Sequence, residues 1–342
     1  MKYIDLRSDT ITKPSRAMRE AMMSAEVGDD VFGEDPTINL LQDRMAKLFG
    51  KEQGLFVPSG TMGNELCIKA QTQPGDEIIV DEDSHIFVYE TAAPSLLSGV
   101  QMRDLPSVRG MISLRDVELA VRPDVYYMPK TKLICLENTH GRSGGAILPI
   151  ERIREMSDFA HHRKIGLHLD GARIWNASVA TGIPVSDYAR YFDSVSVCFS
   201  KGLGAPVGSM VLGTSAFIES VRRYRKIFGG GMRQAGILAA AALYALDHNI
   251  QRLSEDHRKA LAFAERVIKN PKLSLNLAEI QTNMVIVDIA GTGKTQSDFL
   301  TLLKEKGVLL TPEQHSSVRA VTHLDVSMEE VKEAAERMAE II

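Results

Sequence analysis

Short apolar runs alternate along this chain with longer segments in which apolar residues recur at helical spacing. Buried strands are predicted at 55–57, 77–80, 133–136, 166–169 and 195–199. Residues 150–162 lie between two of these strands and have the amphipathic pattern of a helix. Such alternation is typical of βαβ units, in which helices cover both faces of a mostly parallel sheet. The sequence therefore predicts an α/β fold.

The pattern changes near residue 250. A helix rich in Ala and Leu is predicted at 232–249, and a charged helix follows it at 251–269. The later elements are predicted strands at 284–289, 308–310 and 318–322 and a final helix at 328–341. We therefore predict a large domain, 1–249, that includes the N-terminal segment, and a small α+β domain, 250–342.

Composition narrows the functional classes. The 342 residues are 44% hydrophobic and 25% charged, as in ordinary soluble proteins. A formal net charge of −4 provides no basic surface for nucleic acid or for an anionic membrane. The longest apolar stretch, 235–246, is shorter than the roughly 20 residues that span a bilayer. We expect neither a nucleic-acid partner nor a membrane partner.

The compartment is predicted from the first residues and from the cysteines. The segment 1–10 is charged and has no apolar run, so neither a secretory signal nor a transit peptide is expected. Cys67, Cys135 and Cys198 show no metal or redox spacing, which argues against a disulfide framework and a cysteine-based zinc site. A cytoplasmic protein without a bound metal is expected.

Reactive side chains follow the predicted strands. In an open parallel sheet, ligands collect outside the carboxyl ends of the strands. The segments at those positions are 58–61, 81–85, 137–140, 170–173 and 200–201. Together they contain a glycine turn, histidines, a carboxylate with an arginine, and a lysine. Their convergence predicts a binding site at this edge of the sheet.

Lys201 directly follows an apolar strand and precedes Gly202 and Gly204, which allow close backbone approach. A lysine is costly to bury unless it is paired or covalently used. Its position suits a lysine that forms a Schiff base with a carbonyl compound. Considered alone, a lysine at the end of a strand more often extends into solvent.

Asp170 ends the next predicted strand, and Arg173 follows three residues later. A buried carboxylate would keep the ring nitrogen of pyridoxal phosphate (PLP) protonated, as the electron-sink chemistry of that coenzyme requires. Arg173 could then meet the phenolic oxygen of the coenzyme or a substrate carboxylate. A structural ion pair or a helix N-cap remains an alternative.

Residues 59–64 follow a strand and open a predicted helix, so the backbone amides near Gly60 and the Thr61 hydroxyl could bind a phosphate. His85 follows the next strand and could stack on a flat coenzyme, act as a base, or merely satisfy a loop. Farther along, Lys226 and Arg233 flank three glycines and are candidates for anion binding, although a solvated helix face is the plainer interpretation. Arg319 lies in a strand-like run and could bind a carboxylate with two hydrogen bonds.

One motif points elsewhere. Residues 291–295 read Gly-Thr-Gly-Lys-Thr and resemble the end of a phosphate-binding P-loop. The full pattern requires glycine at 288, where Asp288 would repel a phosphate. Nucleotide binding is therefore a weak alternative.

Taken together, these motifs resemble the low-specificity L-threonine aldolases, PLP enzymes with the aspartate-aminotransferase-like fold. The resemblance covers the whole chain and is carried by the motifs at 5–10, 28–37, 59–64, 137–140, 170–173, 200–204, 229–234 and 322–327. It implies a PLP-binding large domain built on the mostly parallel sheet and a smaller α+β C-terminal domain. Two positions depart from the family: Phe32 replaces a usual Tyr, and Tyr127 replaces a frequent His.

The resemblance also implies roles for individual residues. Lys201 would hold PLP covalently, Asp170 would pair with the ring nitrogen, and His85 would stack on the ring near the substrate hydroxyl. The residues implied to bind the cofactor are Gly60, Thr61, His85, Asp170, Arg173, Lys201 and Arg233, the last from a neighbouring subunit. Those implied to bind the substrate carboxylate are Ser8, Arg173, Lys226 and Arg319. A homotetramer, a dimer of dimers with active sites shared between subunits, is implied as well.

The predicted reaction is cleavage of L-threonine or L-allo-threonine to glycine and acetaldehyde, in threonine catabolism and glycine biosynthesis. His85, or a water molecule near it, would take the proton of the β-hydroxyl group. The alternatives are another PLP reaction on the same fold, such as β-elimination or transamination, a nucleotide-binding protein, and a PLP-fold protein without catalysis.

Overall fold

The structure is a computed structural model that describes residues 3–341. Its strands are β1 (Ile4–Asp5), β2 (Gln53–Val57), β3 (Glu77–Asp81), β4 (Gln101–Leu105), β5 (Ser107–Val108), β6 (Met111–Ile112), β7 (Thr131–Glu137), β8 (Gly166–Gly171), β9 (Ser194–Cys198), β10 (Ser209–Gly213), β11 (Met284–Asp288), β12 (Val308–Leu309), β13 (Thr311–Pro312) and β14 (Ser317–Val321). Its α-helices are α1 (Arg16–Met23), α2 (Pro36–Phe49), α3 (Gly60–Gln71), α4 (His85–Val88), α5 (Leu114–Ala120), α6 (Ile150–His162), α7 (Ile174–Thr181), α8 (Val185–Ala189), α9 (Ser215–Ile227), α10 (Gly236–His248), α11 (Leu253–Val267), α12 (Gln296–Glu305) and α13 (Met328–Ala339).

A seven-stranded sheet lies at the centre, in the order β2-β10-β9-β8-β7-β3-β4. From β9 to β4 the neighbouring strands are parallel, whereas β10 is antiparallel to both β2 and β9. Every residue of β3, β9 and β10 is buried, as expected for a sheet that is covered on both faces. The α/β class predicted from the sequence is confirmed.

Local sequence signals explain where the elements begin and end. In α2, the Asp35 carboxylate accepts a hydrogen bond from the amide of Ile38, and Pro36 occupies the first helical position. Gly50 ends the helix with φ +62°, a left-handed conformation that costs glycine little. The bounds of α6 are those predicted, while α10 begins at Gly236, later than the predicted residue 232.

Two strands of the central sheet lie outside the predicted set. β4 is an edge strand in which no residue is fully buried, so its sequence lacks an apolar run. β10 is fully buried, but residues 199–208 join it to β9 without a helix. It therefore departs from the βαβ alternation on which the prediction depended.

The C-terminal part contains a three-stranded antiparallel sheet, β11-β14-β13, and a parallel pair, β1-β12. Its apolar core includes Phe263, Phe299 and Met338, and also Ile4 and Leu6 from the start of the described chain. The N-terminal strand thus packs with the C-terminal part. The division at 249/250 stays a prediction. None of the helices within residues 3–341 is long and apolar enough to cross a membrane.

Candidate active site

A cleft of about 220 Å³ lies at the carboxyl ends of the parallel strands. It is lined by Pro58, Ser59, Gly60, Thr61, Asn64, His85, Glu90, Asp170, Ala172, Cys198, Ser200, Lys201, Pro206 and Val207. Five of the residues predicted for the site, Gly60, Thr61, His85, Asp170 and Lys201, therefore lie together in one cleft. This is the edge of the sheet at which the topology places a ligand.

The N-terminus of α3 forms one wall of the cleft. Ser59 caps the helix, since its hydroxyl accepts a hydrogen bond from the amide of Met62 at 3.2 Å. The amides of Gly60 and Thr61 belong to the first turn, which has no intrahelical carbonyl partner for them. A Cβ atom at residue 60 would lie 2.8 Å from Sγ of Cys198, so a residue larger than glycine would force that side chain or the start of α3 to shift. The helix end can thus receive an anion.

Asp170 lies at the floor of the cleft and is 3% exposed. Its Oδ2 atom accepts a hydrogen bond from Nδ2 of Asn64 at 2.8 Å, and Oδ1 accepts one from the amide of Ala172 at 3.0 Å. Burial opposes its ionisation, but the charges of Lys201 and His85 and the Asn64 hydrogen bond hold the pKa of Asp170 below its usual value. The group is therefore a carboxylate that can bind a protonated ring nitrogen.

Lys201 is half-buried, and its side chain lines the cleft. Within residues 3–341, no hydrogen bond or ion pair is found for its amine, although Asp9 and Asp170 both feel its charge. The cleft therefore combines an unpaired amine, a buried carboxylate and a helix N-terminus. That donor set fits the aldehyde, ring nitrogen and phosphate of PLP.

A second cavity of about 500 Å³ adjoins the first and shares His85, Asp170, Ala172 and Lys201 with it. Its other lining residues are Ser8, Thr10, Asp83, Tyr89, Glu137, Gly141, Arg142, Arg173, Thr311, Pro312 and Arg319. The predicted carboxylate-binding residues Ser8, Arg173 and Arg319 thus lie in a compartment next to the amine of Lys201.

Two arginines in this cavity are close enough to repel each other. Burial and the charge of Arg173 lower the pKa of Arg319, although Glu313 opposes that change. Nη1 of Arg319 donates to Oε2 of Glu313 at 3.2 Å, but its buried Nε finds no partner within residues 3–341. An anion between Arg173 and Arg319 would relieve the repulsion and satisfy the free donor.

His85 begins α4, and its backbone amide donates to Oε2 of Glu137 at 2.7 Å. Its Nδ1 lies 2.8 Å from Oε1 of Glu90, which is buried. Potential ligand atoms of His85, Glu90 and Asp170 lie within 4.8 Å of one another, a spacing that a metal ion could also accept. A protonated pyridine nitrogen next to Asp170 would occupy the same acidic corner.

Lys226 and Arg233 line neither of the two cavities. Lys226 is exposed on α9, and Arg233 is 53% exposed and forms an ion pair with Asp29 at 2.9 Å. Phe32 and Tyr127 are also exposed, at 72% and 69%. One chain alone thus brings together eight of the ten predicted site residues.

The P-loop-like segment uses its own backbone donors. The amides of Ala290, Thr292, Gly293 and Lys294 all donate within the loop, to Asp288, Ile289, Ala290 and Thr292. Thr295 caps α12 by accepting from the amide of Asp298 at 3.1 Å. These amides cannot bind a phosphate without breaking the loop, which argues against a nucleotide site here.

Asp9, Asn64, Glu65 and Glu90 support the site, but sequence reasoning assigned them no role. Glu65 had a local signal, because it is an acid directly before the apolar run 66–68 on a predicted helix. Asp9 and Glu90 have no such signal, because Asp9 pairs with Arg173, 164 residues away, and Glu90 pairs with Asn64, 26 residues away.

A family model described as beta-eliminating lyase matches residues 5–290. Low-specificity L-threonine aldolase 1 of Arabidopsis thaliana is 44% identical over 337 residues, which are 97% of this chain and 94% of that protein. Alanine racemase TOXG of Cochliobolus carbonum is 39% identical over 321 residues, which are 90% of this chain and 80% of that protein.

Among solved structures, the threonine aldolase of Leishmania major has a TM-score of 0.84 at 18% identity. The similarity covers 98% of this chain and 99% of that one. At this identity, the comparison shows that the two chains share a fold.

Proposed function

The chain belongs to the beta-eliminating lyase family, and from that premise we propose that it is a PLP-dependent aldehyde-lyase of low specificity. Its substrates are β-hydroxy-α-amino acids such as L-threonine and L-allo-threonine, and its products are glycine and an aldehyde. One observation carries the proposal: Lys201, Asp170, His85 and the start of α3 line one cleft, beside a compartment with Arg173 and Arg319.

When bound, PLP supplies the protonated ring system that accepts the electron pair of the broken Cα–Cβ bond. We propose that the amine of Lys201 holds its aldehyde carbon and that Asp170 keeps a proton on its ring nitrogen. Gly60 and Thr61 would bind the phosphate through their amides and the Thr61 hydroxyl, where the helix dipole favours an anion. His85 would be the aromatic residue that lies against the coenzyme in this cleft.

Substrate orientation depends on the second compartment. Arg173 and Arg319, with the Ser8 hydroxyl, bind the α-carboxylate and thereby direct the β-carbon toward His85. The neutral imidazole of His85 takes the proton of the β-hydroxyl, directly or through a water molecule, as Cα–Cβ cleavage requires. The carboxylate is held by positive charges from the N-cap residue of α7 and from strand β14, which limits its rotation in the site.

We propose further that Lys226 and Arg233 act on the site of a neighbouring subunit in a homotetramer. Support comes from their exposure, and neither of them is among the described residues that line the two cavities of their own chain. The three free cysteines agree with the proposed cytoplasmic location.

The proposal is tested with purified protein loaded with PLP. L-threonine, L-allo-threonine, L-serine and L-alanine are supplied separately, and the products are identified. Glycine with acetaldehyde supports the aldolase reaction, whereas 2-oxobutyrate and ammonia from threonine, or pyruvate and ammonia from serine, would indicate β-elimination. Lys201→Ala is expected to lose activity by about a thousandfold or more. Lys294→Ala is the matched control, and it should keep activity unless the P-loop-like segment functions.

Racemisation is the second candidate, because the chain is similar to an alanine racemase. The same site would remove and return a proton at Cα without breaking the bond to Cβ. Formation of D-alanine from L-alanine at a rate above that of glycine release from threonine would favour this candidate.

A further inference from the structure

Two glutamates are buried behind the cleft, next to each other. Glu65 on α3 is 1% exposed, and Glu90 is 2% exposed. No donor within residues 3–341 reaches either Glu65 oxygen or Oε2 of Glu90, and the side chain in hydrogen-bond reach of Glu65 is Glu90 itself. Two carboxyl groups can hydrogen-bond only if one of them carries a proton. One proton between them would give these buried oxygens the donor that they otherwise lack.

Glu65 is the protonated member. Burial, the charge of Glu90 and the hydrogen bond between the two groups raise the pKa of Glu65 to about 9. Glu90 is the member with external donors, since its Oε1 accepts from Nδ2 of Asn64 at 2.8 Å. The same amide group donates to Asp170 at 2.8 Å, so both hydrogens of Asn64 are used on carboxylates.

The tautomer of His85 follows from this network. Oε1 of Glu90 is an acceptor and lies 2.8 Å from Nδ1 of His85, so Nδ1 must carry a hydrogen. In the neutral ring, Nε2 is then the basic atom. An imidazole that is fixed in this way can take a proton without first changing its tautomer.

The backbone after Glu90 provides independent support. Thr91 and Ala92 have φ values of +57° and +55°, in the left-handed region that is unfavourable for a residue with a Cβ. Strain of this kind persists where surrounding contacts fix the backbone, and it clusters at functional sites. The position of Glu90 is thus held against a local preference.

We propose that Glu65 and Glu90 share one proton and act as positioning residues: Oε1 of Glu90 accepts from Nδ1–H of His85, which leaves Nε2 as the base. The role of Nε2 as a base rests on the proposed function. The orientation of His85 and the shared proton do not depend on it.

Several charged or titratable groups face His85, and they set the sign of the test. They are Glu90 after α4, Glu65 of α3 through Glu90, Asp170 of β8, Lys201 after β9, Glu137 of β7 at the backbone amide, and Tyr89, whose ring centroid is 5.5 Å away. Burial lowers the pKa of His85, but the Glu90 hydrogen bond and the Asp170 charge raise it above its ordinary value, with Lys201 opposing. Removal of the Glu90 charge should therefore lower the pKa of His85.

The test measures the protonation of His85 without relying on turnover. The holoenzyme is treated with diethyl pyrocarbonate, which acylates neutral imidazole, between about pH 5 and 9. The rate of acylation of His85 is followed by peptide mass spectrometry. His161 is exposed and serves as the internal control. The pH dependence of kcat/KM for threonine is recorded on the same samples.

Glu90→Gln keeps the shape of the side chain and removes its charge. The midpoint, which is the pH at which the acylation rate of His85 is half-maximal, should therefore fall by about one pH unit. The acidic limb of the pH profile of kcat/KM should shift down by the same amount. Glu90→Asp keeps the charge, and its midpoint should fall by less. Glu65→Gln can still donate to Glu90, so the His85 midpoint should stay in place. Each variant is first checked for PLP content and secondary structure.

Two results would overturn the proposal. An unchanged midpoint in Glu90→Gln would show that Glu90 does not hold His85. A midpoint in Glu65→Gln that falls as far as in Glu90→Gln would show that Glu65 is charged in the wild type, which excludes a shared proton. Failure of the wild type to release glycine from threonine would instead refute the proposed function, and the acylation midpoints would still decide this inference.

Discussion

Arg173 and Asp9 are joined by two hydrogen bonds, from Nε to Oδ2 at 2.8 Å and from Nη2 to Oδ1 at 2.6 Å. Asp9 is fully buried, so this pair fixes the N-terminal segment against the N-cap residue of α7. It also leaves Nη1 of Arg173 outside the pair, as the donor that remains for a substrate carboxylate.

Asp9→Ala is expected to destabilise the protein by about 3 kcal/mol, because it leaves the Arg173 charge buried without its partner. The free energy of unfolding is measured by denaturant titration. Asp5→Ala is the matched control, since its partner Arg7 is 49% exposed and the pair should contribute less than about 1 kcal/mol. Equal losses in the two variants would contradict the assignment.

Acid should weaken this same pair. Burial opposes ionisation of Asp9, but Arg173 lowers its pKa from 3.8 to about 2. A lowered pKa in the folded state adds stability above pH 3.8, and that stability is lost as the pH falls toward 2. The free energy of unfolding should therefore fall more steeply with acid in the wild type than in Asp9→Asn. Parallel curves would rule out this contribution.

Arg319→Lys should raise KM for threonine by about tenfold or more and change kcat less, because a single ammonium replaces a two-hydrogen-bond contact to the carboxylate. Steady-state kinetics separate the two constants. Arg337→Lys on α13 is the control, because its guanidinium contacts Glu333 on the surface. A fall in kcat alone would argue against a role in carboxylate binding.

Gly60→Ala should weaken PLP binding by about tenfold, because the new Cβ would lie 2.8 Å from Sγ of Cys198 and shift the start of α3. Equilibrium dialysis of the apoenzyme measures the dissociation constant. Cys198→Ala removes the sulfur, so the double variant should recover most of the affinity. No recovery would mean that residue 60 acts through another contact.

Lys164→Gly should raise the free energy of unfolding by about 1 kcal/mol. Lys164 follows α6 with φ +56°, and the amides of Lys164 and Ile165 bond back to His161 and Ala160 as at a glycine-ended helix. Arg163→Gly is the control at φ −89°, where glycine only adds flexibility to the unfolded chain and should destabilise. Thermal and denaturant unfolding compare the two.

Much of the fold was accessible from local pattern. Helix α6 and the strands β3, β7, β8 and β9 have burial patterns that follow their apolar runs directly, because each is covered by neighbouring elements. β4 could not be found in this way, since an edge strand needs no apolar run. The strand β1 depends on β12, more than 300 residues away, so its place is a tertiary property.

The sequence by itself determined which reactive groups follow which strands: Lys201, Asp170, His85 and the Gly60 turn each come directly after an apolar run, and strand direction brings such positions to one edge. Only the tertiary structure decided what surrounds them. The pairing of Arg173 with Asp9 and of Glu65 with Glu90 depends on contacts between distant segments, and burial sets which of those groups carries a charge. Neither the contact nor the loss of water that accompanies it is encoded in local spacing.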